Sequence, residues 1–286
     1  MPVERAAPWG SWASRPSPEL DFSEVRGGRD VGLVPVGAIE QHGPHLPTGT
    51  DTIVATAICD RAGQSEGLPV LPAIGLGVSY GHGTEIPGTL SLTPELLAAV
   101  VQQYAVWAAA SGLRRLIFVN AHFGNVGALH TATDHLRLYR PDLRVGTVDW
   151  WSCDPAVMAE MTADGDDVHA NRAETSIMMA IAPELVHLDR LVDADDEDRT
   201  TELVFRYTAS ALSRNGVTGR PTEATAELGH RLLTRVAEVV ADRALRGRVE
   251  EPPLGAVRAP RLGPPAGDLG QCAATSRDQV TTAAVE

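Results

Sequence analysis

Cysteine is nearly missing from this chain: Cys59, Cys153 and Cys272 stand alone among 286 residues, with no C-x-x-C pair. That excludes a disulfide framework and a thiolate zinc site, so any metal would need imidazole and carboxylate ligands. Cys59, in IVATAICDRA, reads as a small core residue on a helix. No apolar run reaches the roughly 20 residues that span a bilayer, and the opening MPVERAAPWG has no signal-type apolar core. The expectation is a cytoplasmic protein without a membrane partner. Positive charge is also short, with 24 Lys and Arg against 37 Asp and Glu and a net charge of −13. A nucleic-acid partner would need a basic face to neutralise phosphates, and none is indicated.

What is present suits a globular protein. With 43% hydrophobic and 21% charged residues, the chain can bury a large core. Its length fits one large α/β domain or two small ones. Residues 1–28 carry two Trp and two Pro-flanked turns, and read as a segment wrapping the surface. Residues 29–248 form the domain proper. Residues 249–286 are rich in Pro, Gly and Ala without periodicity, and read as a disordered tail or an arm on a neighbouring subunit. The acidic run DADDED (193–198) reads as a solvated loop.

Between the ends, strand and helix patterns alternate. VGLVPVG (31–37) is a short apolar run of the buried parallel type. The amphipathic helix TDTIVATAICDRAG follows, then LPVLPAIGLG as a second strand. TPELLAAVVQQYAVWAAASG is the clearest helix, with Thr93 as N-cap, Pro94 at the first position and Gly112 at C′. Leu97, Val101, Tyr104 and Ala108 share one of its faces. RRLIFVN is a strand, VGALHTATDHLRLY a helix and RVGTVDW the fourth strand. AETSIMMAIAPEL, closed by Pro183, and TEATAELGHRLLTRVAEVVADRAL are the last helices. Alternation predicts a mostly parallel sheet with helices on both faces, and ligands at the C-terminal ends of the strands.

The polar clusters lie at those ends. In GAIEQHGPHLPTGTD, Glu40 and His42 are two apart and leave the same face of an extended chain. Gly43, Pro44, Pro47 and Gly49 then make a tight loop that can return Asp51 towards them. NAHFGN places His122 just past a strand, and in DDVHANRAETS His169 and Glu174 flank a helix start. Each residue alone reads more naturally as a cap or surface group. Together, Glu40, His42, Asp51, His122 and Glu174 form a ligand set for Zn²⁺, Mn²⁺ or a similar ion. Two divalent ions with one bridging hydroxide would neutralise three carboxylates, whereas one ion would leave excess negative charge. Asp51, with two oxygens to divide, is the expected bridge.

PVGAIEQHGPHLPTGTD, PGTLSL, NAHFGN and HANRAETS together resemble the creatininase family of amidohydrolases, over roughly residues 30–245. The resemblance implies a three-layer α/β/α sandwich around a mostly parallel sheet, assembled as a homohexamer. It also implies one ion on Glu40, Asp51 and His122 and another on His42, Asp51 and Glu174, with Zn²⁺, Mn²⁺ or Fe²⁺ in those places. His169 matches the family's catalytic histidine, which would protonate the leaving nitrogen while a hydroxide attacks an amide-type carbonyl.

Two departures argue against creatinine itself as substrate. Gly124 stands where creatininase has a catalytic Glu, and TADGDDV (162–168) lacks a flap tryptophan. Asp166 or Asp167 could serve as base, although capping a turn is the plainer role for that pair. Phe123, unusual in the family, would select a flat or apolar substrate. His82 reads either as a substrate contact or as a loop-stabilising group. Trp150 and Trp151 could form one wall of the cavity, with core packing for one of them. His45, His130, His135, His187 and His230 read as structural or exposed. The expected activity is cleavage of a small amide, cyclic amide or formamide. The alternatives are a peptidase trimming a modified precursor, like the mycofactocin branch of the family, and a non-catalytic scaffold on the same fold.

Overall fold

A computed structural model describes residues 11–22 and 30–255. All six residues of β1 (Val31–Val36) are buried, as a strand covered on both faces requires. It pairs in parallel with β2 (Arg115–Asn120), which pairs in parallel with β3 (Arg144–Asp149). Alternation along each strand sorts the side chains between two cores. Val31, Leu33, Val119 and Val148 join one with α1 (Thr50–Glu66), α5 (Arg172–Ile181) and α8 (Ala226–Val249). Val34, Val36, Leu116 and Phe118 join the other with α2 (Pro94–Ala110) and α3 (Val126–Tyr139). The result is the three-layer sandwich. Shorter helices α4 (Pro155–Met161), α6 (Leu188–Leu191) and α7 (Ala209–Leu212) complete it.

LPVLPAIGLG does not form the expected regular strand. Val70 and Ile74 make isolated parallel bridges to Leu33 and Val36. Pro69 and Pro72 have no N–H to donate, so the ladder cannot run on. The segment still lies beside β1, through Leu33 N–H to Pro69 O at 2.8 Å and Leu71 N–H to Leu33 O at 2.9 Å. α8 starts later than its pattern suggests, because Pro221–Glu223 is a separate turn. Thr225 caps α8 by accepting from Leu228 N. Thr93 caps α2 as expected, accepting from Leu96 N, and Gly112 beyond its end has φ +84°.

The acidic run is not simply solvated. Asp196 is buried and accepts two guanidinium hydrogen bonds from Arg199, at 2.7 and 3.0 Å, and further ones from Ser213 Oγ and Arg214 N. Asp198 accepts from Asp166 N and Asp167 N. These contacts tie the acidic turn to the residue 213–218 segment, which forms part of the site described below. The N-terminal segment lies partly outside the described residues. Within it, Phe22 is buried and stacks with Trp12. The stretch from residue 256 onward lies outside them altogether. Among the described residues no helix is long and apolar enough to cross a membrane.

α5 and α8 cross with their backbones in contact, since a Cβ on Gly229 would overlap the Ser176 carbonyl. Gly229→Val is therefore expected to cost about 3 kcal/mol, the upper range for overpacking. A thermal melt checks this, and an unchanged midpoint would show that the helices part freely.

Candidate metal centre

Each proposed ligand sits where a strand ends or a helix begins. Glu40 and His42 follow β1, with Glu40 N–H donating to Thr48 O at 2.9 Å across the tight loop. That loop delivers Asp51 into the first turn of α1, where the helix dipole favours a carboxylate. His122 follows β2, and Glu174 lies in the first turn of α5 behind the N-cap Asn171. Between His169 and Asn171, Ala170 is fully buried at φ +50°. This left-handed turn in a non-glycine residue is strained backbone of the kind that functional sites hold. Ala170 N–H donates to Glu174 Oε2 at 2.6 Å.

Hydrogen bonds settle which ring nitrogen faces inward. His42 Nδ1–H donates to Glu40 O at 3.2 Å, leaving Nε2 at 3.2 Å from Asp51 Oδ1. His122 Nε2–H donates to Val78 O at 2.8 Å, leaving Nδ1 at 3.1 Å from Glu40 Oε1 and 3.5 Å from Asp51 Oδ2. Imidazole ligands are commonly oriented this way, by a backbone carbonyl on the outer nitrogen. His169 Nε2–H donates to Gln41 O at 2.8 Å, and its Nδ1 points to the site, 3.8 Å from Glu40 Oε1.

Three groups of ligand atoms lie within 4.8 Å of one another among the described residues. They are Glu40, Asp51 and His122; His42, His169 and Glu174; and Glu40, His82 and His169. Glu40 Oε2, His42 Nε2 and Asp51 Oδ2 are buried without a properly formed hydrogen bond. Their neighbours approach within ion-pair distance but off the hydrogen-bonding direction. Buried polar atoms normally find partners, and a hard or borderline cation is the partner this donor set fits.

Charge supports the same reading. Burial would raise Glu40, but His122 and His82 hold it well below the usual carboxylate range. Burial, then Glu40, push Asp51 up, and burial carries Glu174 to about 8. Burial would depress His42 and His122, yet Asp51 carries the first to about 10 and Glu40 the second to about 9. Two protonated imidazoles thus stand in for cations between the carboxylates. Burial, then His82 and His42, push His169 well below its ordinary value, so it is neutral.

An open cavity of about 190 Å³ leads to these groups, and Glu40, Asp51, His122, Glu174, His82 and His169 all line it. Phe123 and Tyr207 bring aromatic rings to its wall. Trp150 and Trp151 are not wall residues. Both are buried in the core, and Trp151 reaches the site only by stacking beneath Phe123 at 3.9 Å. Gly124 does not line the cavity either. A Cβ there would overlap the Val78 carbonyl oxygen, so a glutamate cannot enter this loop without moving residue 78. Asp166 is exposed, whereas Asp167 lines the cavity, pushed up by burial, and accepts from Thr218 Oγ1. His45 is fully buried and bonds Thr175 Oγ1 at 2.8 Å.

Sequence reasoning passed over two positions. Asn125, completely buried, donates to Gly37 O and accepts from Val78 N, binding three strand-end loops together. Gln41 touches both His82 and His169. The flanking site residues were the available signals: Asn125 closes NAHFGN, and Gln41 sits between two ligands.

Comparison with known proteins agrees with this geometry. The family model for creatininase, described as creatinine amidohydrolase, matches residues 18–243. The mycofactocin precursor peptide peptidase of Mycobacterium ulcerans (strain Agy99) is 37% identical over 226 residues, covering 75% of this chain and 84% of that one. The creatinine amidohydrolase of Pseudomonas putida is 32% identical over 243 residues, covering 78% and 94%. The solved structure described as "Creatininase Mn" superposes with a TM-score of 0.71 at 30% identity, covering 85% and 100%. With its sandwich fold and its converging carboxylates and imidazoles, the chain belongs to the creatininase family and is a hydrolase of carbon–nitrogen bonds.

Proposed function

We propose that the chain cleaves an amide, cyclic amide or formamide bond of a small molecule with the help of two divalent cations. The observation that carries this reading is the convergence of Glu40, His42, Asp51, His122 and Glu174, with unpartnered atoms at its centre. Glu40, Asp51 and His122 would hold one cation and His42, Asp51 and Glu174 the other, Asp51 being shared. Zinc, manganese or ferrous iron suits these donors. Such ions, when bound, polarise a carbonyl and make water acidic enough to attack near neutral pH.

His169 then moves the proton. Its Nδ1 is bare and faces the cavity, so it can accept a proton as a water oxygen bonds to the carbonyl carbon. It returns that proton to the nitrogen as the C–N bond breaks. Asp167 is the weaker candidate for this step, since Thr218 Oγ1 already occupies one of its oxygens. Phe123, resting on Trp151, offers a flat apolar surface to the substrate. The closed space around Gly124 and the tryptophan-free 162–168 segment favour a substrate other than creatinine.

A peptide substrate is the second reading. A neighbouring cleft shares Gly81, Tyr207 and Leu212 with the cavity and adds Tyr80, Leu203 and Phe205. It would give an extended apolar chain a place to lie. One experiment addresses both readings: measure bound metal, then assay release from a panel of small amides and of C-terminal residues from peptides. About two ions per chain, with turnover lost to a chelator and restored by metal, is the expected result. A folded chain that takes up no divalent ion would overturn the hydrolase mechanism.

A further inference from the structure

Gln41 is a buried amide, 3% exposed, between two proposed ligands. Its Oε1 accepts from Gly43 N at 3.0 Å, which fixes the other end as the NH₂ group. That nitrogen lies 3.0 Å from His82 Nδ1, 3.0 Å from His169 Nε2 and 3.1 Å from Gly216 O. It has only two hydrogens for three neighbours. His169 Nε2 is also 2.8 Å from Gln41 O, a carbonyl that can only accept, so this ring nitrogen carries its own hydrogen. The amide hydrogens therefore go to His82 Nδ1 and Gly216 O. With Nδ1 accepting, His82 keeps its hydrogen on Nε2, which lies 3.1 Å from Glu40 Oε2.

We propose that Gln41 is a positioning residue: its side-chain amide fixes the ring of His82 against Glu40, while its backbone carbonyl holds the ring of His169 against the cavity. His82 Nε2 then stands beside the outer oxygen of Glu40 at ion-pair distance, 3.1 Å, and Oε1 stays turned towards His122 Nδ1 at 3.1 Å. His169 is left one orientation, with its hydrogen on Gln41 O and its bare nitrogen inward. The amide itself is clamped. Its backbone N–H donates to Thr89 Oγ1 at 3.1 Å. Gly216, at φ +84°, lets its loop approach so closely that a Cβ would overlap Gln41 Oε1. Neither a carboxylate nor a thioether of this size can donate twice and accept once, so an amide is the group the site requires. The hydrogen-bond assignment stands on geometry alone. Its consequence for turnover rests on the hydrolase reading.

The test uses full-length protein with ¹⁵N-labelled histidine, metal-free and zinc-loaded, and long-range ¹H–¹⁵N correlation spectra. The wild type is expected to show His82 with a bare Nδ1 and His169 with its hydrogen on Nε2. In Gln41→Glu the His82 pattern is lost, and in Gly216→Ala, which pushes the amide from the other side, it is lost as well. On a p-nitroanilide amide probe, both variants should lose about 10–100-fold in kcat, the range for groups that orient ligands from behind. Zinc content should be unchanged and KM should stay within about threefold. A purely structural role would lower the melting temperature but leave the histidine patterns and kcat alone. The proposal is overturned if wild-type His82 carries its hydrogen on Nδ1, or if both variants keep wild-type spectra and kcat. The wild-type spectrum decides the assignment even if a variant fails to fold. A wild type that shows the assigned patterns but binds no zinc overturns the hydrolase reading instead.

Discussion

Asp51→Ala is expected to release both cations and abolish turnover. The carboxylate is 2% exposed, with Oδ1 at 3.2 Å from His42 Nε2 and Oδ2 at 3.5 Å from His122 Nδ1. It therefore faces the inward nitrogen of a histidine in each proposed ligand set. In the metal-free chain the loss has a second effect. Burial depresses His42, and Asp51 does most to hold it up to about 10. Removing one partner from a buried pair typically costs about 3–5 kcal/mol. Asp51→Asn, which keeps the shape, should also fail to hold two ions. Metal analysis with an activity assay checks the pair of variants, and wild-type values for both would refute the shared-ligand role. The proton balance gives a further sign. His42 and His122 have folded-state values raised to about 10 and about 9, above the ordinary 6.5. Their contribution to the metal-free fold is complete below pH 6.5 and is lost as pH rises through 9–10. Cations must displace those protons, so metal affinity should fall as pH falls.

The three strands were legible because each is a short run rich in apolar and β-branched residues that ends beside polar ones, although only β1 is buried on both faces and β3 at the sheet edge is mostly half-buried. The second of the four expected strands was misread for a physical reason. LPVLPAIGLG has the hydrophobicity of a strand, but its prolines remove the ladder donors. The five proposed ligands were readable as a set because strand-end positions in a parallel sheet converge. Their individual partners were not, since Ala170 at φ +50° and the loop around Gly124 owe their shape to contacts with residues far along the chain. The tryptophans show the same limit. Trp150 and Trp151 follow β3 just as His122 follows β2, yet a large ring gains more from burial than from lining a polar cavity. The acidic run looked solvated by composition, and Asp196 became structural because Arg199 folds back onto it and the 213–214 turn, further along the chain, comes to meet it.

His169→Ala is expected to leave the cation content intact while slowing hydrolysis about 10²–10⁴-fold, the range for loss of a general acid–base group. The backbone at this position is held without the ring, since Thr218 N–H donates to His169 O at 2.9 Å. The variant should therefore fold. Two geometries compete for the side chain. Its nitrogen falls within ligand distance of His42 and Glu174, which would suit a metal ligand. A carbonyl on Nε2 and a neutral ring suit either role. Against the ligand reading, Nδ1 stands 3.8 Å from Glu40 Oε1, farther than the inward nitrogens of His42 and His122 stand from their carboxylates at 3.2 and 3.1 Å. A neutral ring beside a cation pair can take a proton from attacking water and surrender it to a leaving nitrogen; a ligand cannot, because its lone pair is already used. The two roles separate cleanly in a single preparation. If His169→Ala keeps its metal and loses turnover, and added imidazole restores part of the rate, the ring carries the proton. If the substitution strips a cation, the histidine is a ligand, and the proton must travel through Asp167.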